Sequence, residues 1–213
     1  MTTIADMRRE YASRAFNEQD AHADPIRQFT SWFEEALKAQ LIDANAMTLA
    51  TASPAGEPSA RIVLLKGADE SGFVFYTNYE SAKGRDLAAN PRASLLFFWS
   101  ALERQVRITG AVTKTSVEES DAYFHSRPVE SQIGAVSSAQ SRPVADRAQL
   151  ESRYAEMAAK YKDSIVPLPA TWGGYRVTPE RIEFWQGRQS RLHDRLLYTR
   201  QPDGSWSRAR LSP

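Results

Sequence analysis

The amino-acid sequence predicts an α+β fold, an antiparallel β-barrel of about eight strands with helices at its periphery. Three observations carry that prediction. The hydrophobic period changes from helical to strand-like and back along the chain; turn residues separate the β-rich runs; and no repeat or Gly/Ser linker interrupts the 213 residues. A single domain over 1–213 is the simplest division.

Asp24-Pro25 reads as a helix N-cap followed by proline at the first helical position, and Ile26, Phe29, Phe33 and Leu37 continue as an apolar stripe on a helix over 25–40. Strands over 47–53, 59–66 and 73–77 come next, joined by the Pro54-Ala-Gly-Glu57 turn and a loop over 67–72. Ser81 can cap a short helix that stops near Asn90-Pro91, and strands follow over 93–99 and 104–115. The capping-box pattern Ser116-x-x-Glu119 opens a third helix, with further helices over 129–136 and 146–161. The tail returns to strands at 174–177, 181–186, 191–199 and 205–210, with Asp203-Gly204 as a hairpin turn.

Composition narrows the function. Lysine plus arginine number 27 against 26 acidic residues, so no global field favours nucleic acid or an anionic membrane as the main partner. The absence of cysteine removes disulfides, thiolate metal sites and thiol catalysis, and makes the cytoplasm the expected setting. His22, His125 and His193 are too widely spaced for a metal-ligand set, so no metal is expected. The charged N-terminus and the short longest apolar run, 95–99, predict neither an export signal nor a membrane span. There is no phosphate-binding Walker loop, dinucleotide glycine motif, nucleophile elbow or H-E-x-x-H.

Three clusters could carry chemistry. On a strand, Arg191, His193 and Arg195 share one face with Leu192 pointing away, a poor choice for a packed core and a sensible one for an anion. From spacing alone, a solvated basic face and a ligand site are evenly matched. In His125-Ser-Arg-Pro-Val-Glu-Ser131, Pro128 suits a first helical position, so Arg127 and Ser131 would border a positive helix pole, with Tyr123 one turn earlier. An exposed helix corner is the commoner reading of that pattern. Arg61-Ile-Val-Leu-Leu-Lys66 reads as a strand buried on both faces with a cation at each end. Arg61 and Lys66 would point oppositely, so one ligand could meet both only over a strand end or across a bulge. Tyr76, Thr77, Gln105, Gln140 and Ser141 are polar positions that could bond a ring edge or phosphate, or simply end strands.

Taken in order, Arg8-Arg-Glu-Tyr11, Ala23-Asp-Pro25, Arg61-Ile-Val-Leu-Leu-Lys66, Val74-Phe-Tyr-Thr-Asn78, Leu102-Glu-Arg-Gln-Val106, Tyr123-Phe-His-Ser-Arg-Pro128, Ser131-Gln-Ile-Gly-Ala135, Phe184-Trp-Gln-Gly187 and Arg191-Leu-His-Asp-Arg195 resemble the pyridoxamine/pyridoxine 5′-phosphate oxidase family over nearly the whole chain. The resemblance implies a homodimeric split β-barrel holding FMN at the subunit interface. It implies FMN contacts at Arg61, Ile62, Val63, Leu64, Leu65, Lys66, Tyr76, Thr77, Lys83, Gln105, Gln140, Ser141, Trp185 and Arg195. Substrate contacts would be Lys66, Tyr123, Arg127, Ser131, Arg191 and His193, with Arg8 and Tyr11 in a movable N-terminal lid within residues 1–20. Arg191 and His193 are the catalytic pair so implied. The implied reaction moves a hydride from C4′ of pyridoxamine or pyridoxine phosphate to flavin N5, with dioxygen as the final acceptor. Two departures stand out: Ser81-Ala-Lys83 replaces the usual Ser-Arg-Lys, which removes one cationic phosphate contact and predicts weaker FMN binding, and Val136 replaces a common tryptophan. The rival readings are a phenazine-biosynthesis oxidase of the same barrel and a non-catalytic flavin or pyridoxal-phosphate carrier.

Overall fold

The structure, a computed structural model, describes Ile4 and residues 15–213. Arg8 and Tyr11, expected in a lid, lie outside the described residues. Helix α1 (Pro25–Lys38) begins as expected, with the Asp24 carboxylate accepting from the Ile26 amide and Pro25 in the first turn. Its buried face, however, is Ile26, Phe29, Trp32 and Ala36; Phe33 is half-buried and Leu37 is exposed. Both stripes have helical spacing. The one centred on Trp32 wins because the indole packs edge-on to Phe184 across the sheet, with ring centroids 5.3 Å apart.

Among the described residues, nine strands form one antiparallel sheet: β1 (Ala46–Ala52), β2 (Pro58–Leu64), β3 (Gly67–Asp69), β4 (Gly72–Asn78), β5 (Arg92–Trp99), β6 (Arg104–Lys114), β7 (Trp172–Gln186), β8 (Asp194–Arg200) and β9 (Trp206–Arg210). The hydrogen-bonded order is β2-β1-β5-β6-β7-β4-β3, and β8 joins β7 and then β9. Helices α2 (Ala82–Ala89), α3 (Val117–Ser126), α4 (Val129–Ser137) and α5 (Arg147–Lys160) lie in the connections. Ser81, Ser116 and Asp146 cap α2, α3 and α5 with side-chain bonds to helix amides.

Two expected strands, 174–177 and 181–186, are one. Strand β7 runs on past Pro179 because a register shift opposite Thr109 and Gly110 absorbs the extra residue. Its first half pairs with β4 and its second half pairs with β8 on the same edge, while β6 runs along the other edge throughout. That change of partner is what splits the barrel. Gly110 sits at the shift, where a Cβ would come within 1.9 Å of the Thr178 carbonyl oxygen.

Strand β2 is a sheet edge, so the expectation that it is buried on both faces fails. Ile62 and Leu64 are exposed; Leu65, just past the strand, is buried in the core and Val63 packs against it half-buried. The expected strand 191–199 starts late, at Asp194, after a 3₁₀ turn over Gln189–Arg191.

The main core gathers α1, Leu49, Phe73, Phe75, Phe97, Trp99, Ile108, Ile182, Phe184 and Tyr198. A second cluster, Phe124, Ile133, Val166 and Trp172, ties the helices after β6 to the start of β7. Phe97 is fully buried, 5.1 Å from the Phe29 ring and 5.7 Å from that of Trp99. Phe97→Ala is expected to cost about 3–5 kcal/mol, read as a lower midpoint in chemical unfolding with an unchanged slope.

Candidate functional site

A cleft of about 910 Å³ opens between β2, β4, the N-terminus of α2, and the α3–α4 corner. One wall is aromatic. Tyr76 stacks on Tyr123 at 3.9 Å and lies parallel to Trp172 at 5.5 Å. Burial first, then the nearby Glu119 carboxylate, pushes the Tyr76 phenol up to about 12, so it remains protonated at neutral pH. Trp172 was not foreseen, since nothing local in the sequence links position 172 to 76 and 123.

Cationic groups occupy two parts of the cleft. Lys83, in the first turn of α2, is buried, with its Nζ 3.2 Å from Thr77 Oγ1, 3.4 Å from Ser81 Oγ and 3.5 Å from Gln140 Oε1. These partners are all neutral. Burial, and to a lesser extent Arg61, lowers the Lys83 pKa, so an arriving anion would relieve both the desolvation and the repulsion. Arg61 donates to Thr51 Oγ1 at 2.7 Å and Ser59 Oγ at 2.6 Å, and its guanidinium lies 3.8 Å from the Asp86 carboxylate. Asp86 is a further residue that sequence reasoning missed.

The second cation is Arg127, which closes α3. It lies over the Trp172 ring at 4.9 Å and donates through Nη2 to the Ser131 carbonyl at 2.9 Å. Its other terminal nitrogen, Nη1, is buried without a hydrogen-bond partner among the described residues. A buried donor left without a bond is costly, and in a cleft wall it marks a place for an anionic or acceptor ligand. The helix start beside it differs from the expectation. Pro128 is the cap rather than the first helical residue, and the Ser131 and Gln132 amides already bond the Pro128 carbonyl, at 2.9 and 3.1 Å.

Lys66 joins Arg61 in lining this cleft without a bulge. Strand β2 ends at Leu64, and the Lys66 amide bonds the Val74 carbonyl instead, so the alternation of faces no longer applies. Ile62, Val63 and Leu64 also line the cleft, whereas the Leu65 side chain packs into the core on the other side. Gln140 lines the cleft; Ser141, with φ at 66°, is exposed beyond it.

The remaining expected residues lie elsewhere in the chain. Gln105 is opposite Trp185 on β7, and Trp185 is opposite Arg195 on β8, so the three side chains share one sheet face at one level. Arg195 is held by the buried Glu183 at 2.8 Å and by the Ser212 carbonyl at 2.7 Å. Arg191 and His193 fall in the loop before β8, not on the strand face with Arg195, and Leu192 is exposed. The His193 ring is 4.7 Å from that of Trp185, and its Nδ1 accepts from the Arg188 amide at 3.1 Å. In neutral His193 the proton is therefore on Nε2. Burial and then Arg191 hold its pKa below the usual value, against the opposing pull of Asp194.

Trp172, in the cleft wall, and Trp185 lie thirteen residues apart on β7, about 40 Å of strand at ~3.3 Å per residue. One chain thus carries two separate groups of the expected residues.

Comparison with known proteins bears on this arrangement. Residues 33–161 match the family model described as pyridoxamine 5′-phosphate oxidase, and residues 172–213 match the pyridoxine 5′-phosphate oxidase C-terminal dimerisation region. The chain belongs to the pyridoxamine 5′-phosphate oxidase family. It is 60% identical over 213 residues, 100% of both chains, to the pyridoxine/pyridoxamine 5′-phosphate oxidase of Ralstonia pickettii (strain 12J). It is also 60% identical over 210 residues, 99% of this chain and 96% of the relative, to the enzyme of that name from Rubrobacter xylanophilus. Among solved structures it resembles PhzG from Burkholderia lata, in complex with tetrahydrophenazine-1-carboxylic acid, with a TM-score of 0.89 and 32% identity, covering 95% of this chain and 99% of that one. Members of this oxidase family are enzymes, and so is this chain. No helix among the described residues is long and apolar enough to cross a membrane.

Arg127→Met is expected to leave the stability of the free protein within about 1 kcal/mol, because it removes a cation with an unsatisfied donor, while abolishing protection by inorganic phosphate in thermal unfolding. A large loss of stability without phosphate would show that Arg127 is a structural residue.

Proposed function

We propose that the chain oxidises pyridoxamine 5′-phosphate and pyridoxine 5′-phosphate to pyridoxal 5′-phosphate, with FMN as cofactor and dioxygen as electron acceptor. Hydrogen peroxide is the co-product, and hydrolysis of the imine formed from the amine releases ammonia. The observation that carries the reading is the unpartnered Arg127 Nη1 in the same cleft as the buried, carboxylate-free Lys83. Two such donor sets suit two ligands that each bear a phosphate. The aromatic wall and the hydroxyl and amide groups of Thr77 and Gln140 fit the requirements of a flavin mononucleotide site.

FMN, when bound, supplies the acceptor for the hydride leaving C4′ and passes the electrons to dioxygen. The protein supplies position and charge. Lys83 and Arg61, with Thr77 and Gln140, would hold the cofactor phosphate; Lys66, Tyr123, Arg127 and Ser131 would hold that of the substrate. Gln105, Trp185 and Arg195 would complete the cofactor contacts. Arg191 and His193 would hold the C4′ amine or alcohol and assist its proton loss, with His193 presenting Nε2–H as a donor in the tautomer set by Arg188. With the cofactor anchored, the ordered cleft would keep water from the reacting carbon.

This assignment needs a second copy of the chain, because the two residue groups are far apart along β7. We infer a homodimer in which each active site takes Arg191, His193, Trp185 and Arg195 from one chain and the cleft from the other. The match of residues 172–213 to a dimerisation region, and the exposed apolar side chains of Ile62, Leu64 and Phe98, support it. The cytoplasm is the proposed setting, as a cysteine-free chain favours. A phenazine-type oxidase is the rival reading, with 32% identity to PhzG against 60% to the phosphate-ester oxidases. Lys66, Tyr123, Arg127 and Ser131 all border the cleft, and this favours the phosphorylated substrate.

The test is peroxide release with pyridoxamine phosphate, together with bleaching of the bound flavin when that substrate is added without air. A colourless protein, or a yellow one that does not bleach, refutes the proposal. Arg191→Ala and His193→Ala should each lower kcat by about 10²-fold with FMN retained. Arg127→Ala should instead raise KM by roughly 10- to 100-fold, the worth of a hydrogen bond to a charged group. Equal, small effects in all three would refute the assigned roles.

A further inference from the structure

Away from the cleft, a dense charged cluster among the described residues joins Glu18, before helix α1, to strands β8 and β9. Arg210 on β9 grips Glu18 with a two-pronged contact, 2.7 Å from each carboxylate oxygen, and turns its third nitrogen to Asp194 Oδ1 at 2.7 Å. The other Asp194 oxygen accepts from the Phe16 amide at 3.0 Å and lies 3.6 Å from Arg188 Nε. Asp194 is itself buried and directly follows His193.

The loop that this cluster closes is under strain. Ser190 and Arg191 both have left-handed backbones, with φ of 55° and 62°. Side-chain-bearing residues in that region cost about 1 kcal/mol or more each and persist only where the surroundings over-determine them. At its start, the loop is pinned by the Gly187 amide to the Glu103 carbonyl at 2.7 Å. At its end, Asp194 is the pin. Besides its pairing with Gln186 on β7 and its contact with Arg188, the bonds to Arg210 and Phe16 hold the first residue of β8 against relaxation of that turn.

We propose that Arg210 is a positioning residue for His193, acting through Asp194: it fixes the strained loop that carries Arg191 and His193, and it offsets the Asp194 charge beside the imidazole. The inference rests on the roles proposed above for His193 and Arg191. The charged groups around His193 are Arg191 and Arg188 on its own loop, Asp194 next to it, Arg210 and Glu18 behind Asp194, and the Arg195–Glu183 pair on the adjoining strands. The strength of the grip shows in Glu18, whose carboxyl is held down at about 2 mainly by its bond to Arg210.

The sign of the electrostatic effect follows. Removing the Arg210 charge leaves Asp194 uncompensated and takes away a cation, and both changes favour imidazolium. The His193 pKa should therefore rise. A scaffold role alone would lower activity without moving that titration.

The experiment is an NMR titration of the three histidine rings in the FMN-loaded enzyme, alongside steady-state kinetics, for Arg210→Gln and Arg210→Lys. In Arg210→Gln the His193 midpoint should move up by about half a unit or more. His22 and His125 should stay still, and kcat should fall ~10-fold or more with KM changed less than ~3-fold. Arg210→Lys, which keeps the charge, should restore the midpoint and most of kcat. If Arg210→Gln does not fold, Glu18→Gln carries the test, because loss of that exposed negative charge should move the His193 midpoint down. An unmoved His193 in the variants that fold overturns the inference, whatever happens to the rate. A wild-type enzyme that neither binds FMN nor releases peroxide would instead refute the oxidase reading, a separate and distinguishable failure.

Discussion

The structure depends on one strand changing partners. Strand β7 must satisfy two different neighbours along a single edge, β4 for its first half and β8 for its second, and the register shift near Pro179 makes this possible. Because backbone amides and carbonyls away from water must be paired, the point where β4 leaves and β8 takes over cannot drift by a residue without orphaning bonds on both sides. Fixing that point fixes the distance between the aromatic cleft wall at Trp172 and the Trp185–Arg195 level. It also brings Gly110 so close to the Thr178 carbonyl that no side chain fits.

Charge is distributed to match. Among the described residues, several arginines outside the cleft have carboxylate partners: Arg107 with Glu183, Arg176 with Asp69 and Glu119, Arg92 with Glu180, and Arg104 with Glu35. Inside the cleft the pattern reverses. Among the described residues, the hydrogen-bond partners of Lys83 are all neutral and Arg127 keeps an unsatisfied donor, while Arg61 is the exception in having Asp86 close by. Burying a cation without a counter-ion lowers stability, and the main core, built on edge-to-face aromatic contacts around Phe29, Trp32 and Phe184, is where the compensating burial lies.

Much of this was legible in the sequence where the signal was local. The N-caps at Asp24, Ser81 and Ser116, the Asp203-Gly204 turn and most strand positions follow from residues a few places apart. Helix α1 was placed correctly but rotated, because two overlapping stripes satisfied the same period and only the facing sheet chooses between them. The strand expected at 191–199 starts late, at Asp194, for a similar reason. Alternating charged and apolar residues look extended, yet Ser190 and Arg191 take left-handed backbones that only distant contacts can enforce. Within the site, Arg61, Lys66, Tyr76, Thr77, Lys83, Tyr123, Arg127, Ser131 and Gln140 do border one cleft. Trp172 and Asp86 were invisible because their partners are remote in sequence, and Ile62 and Leu64 were misjudged as buried because an edge strand with one covered face resembles a buried one.

Strand β2 has a consequence for how the molecule comes into being. Among the described residues its outer edge has no neighbour in the sheet, and it displays Ile62 and Leu64 to solvent in a single chain. An apolar open edge invites pairing with any other extended segment, correct or not. A newly made chain therefore faces a race in which productive docking with its twin competes with indiscriminate clumping, and both speed up with crowding of identical chains. Under the proposed assignment, a cofactor held between the docked pair would tilt that race by removing the productive product from the competition, and the yield of well-formed protein would then follow its supply during synthesis as well as the intrinsic stability of the barrel.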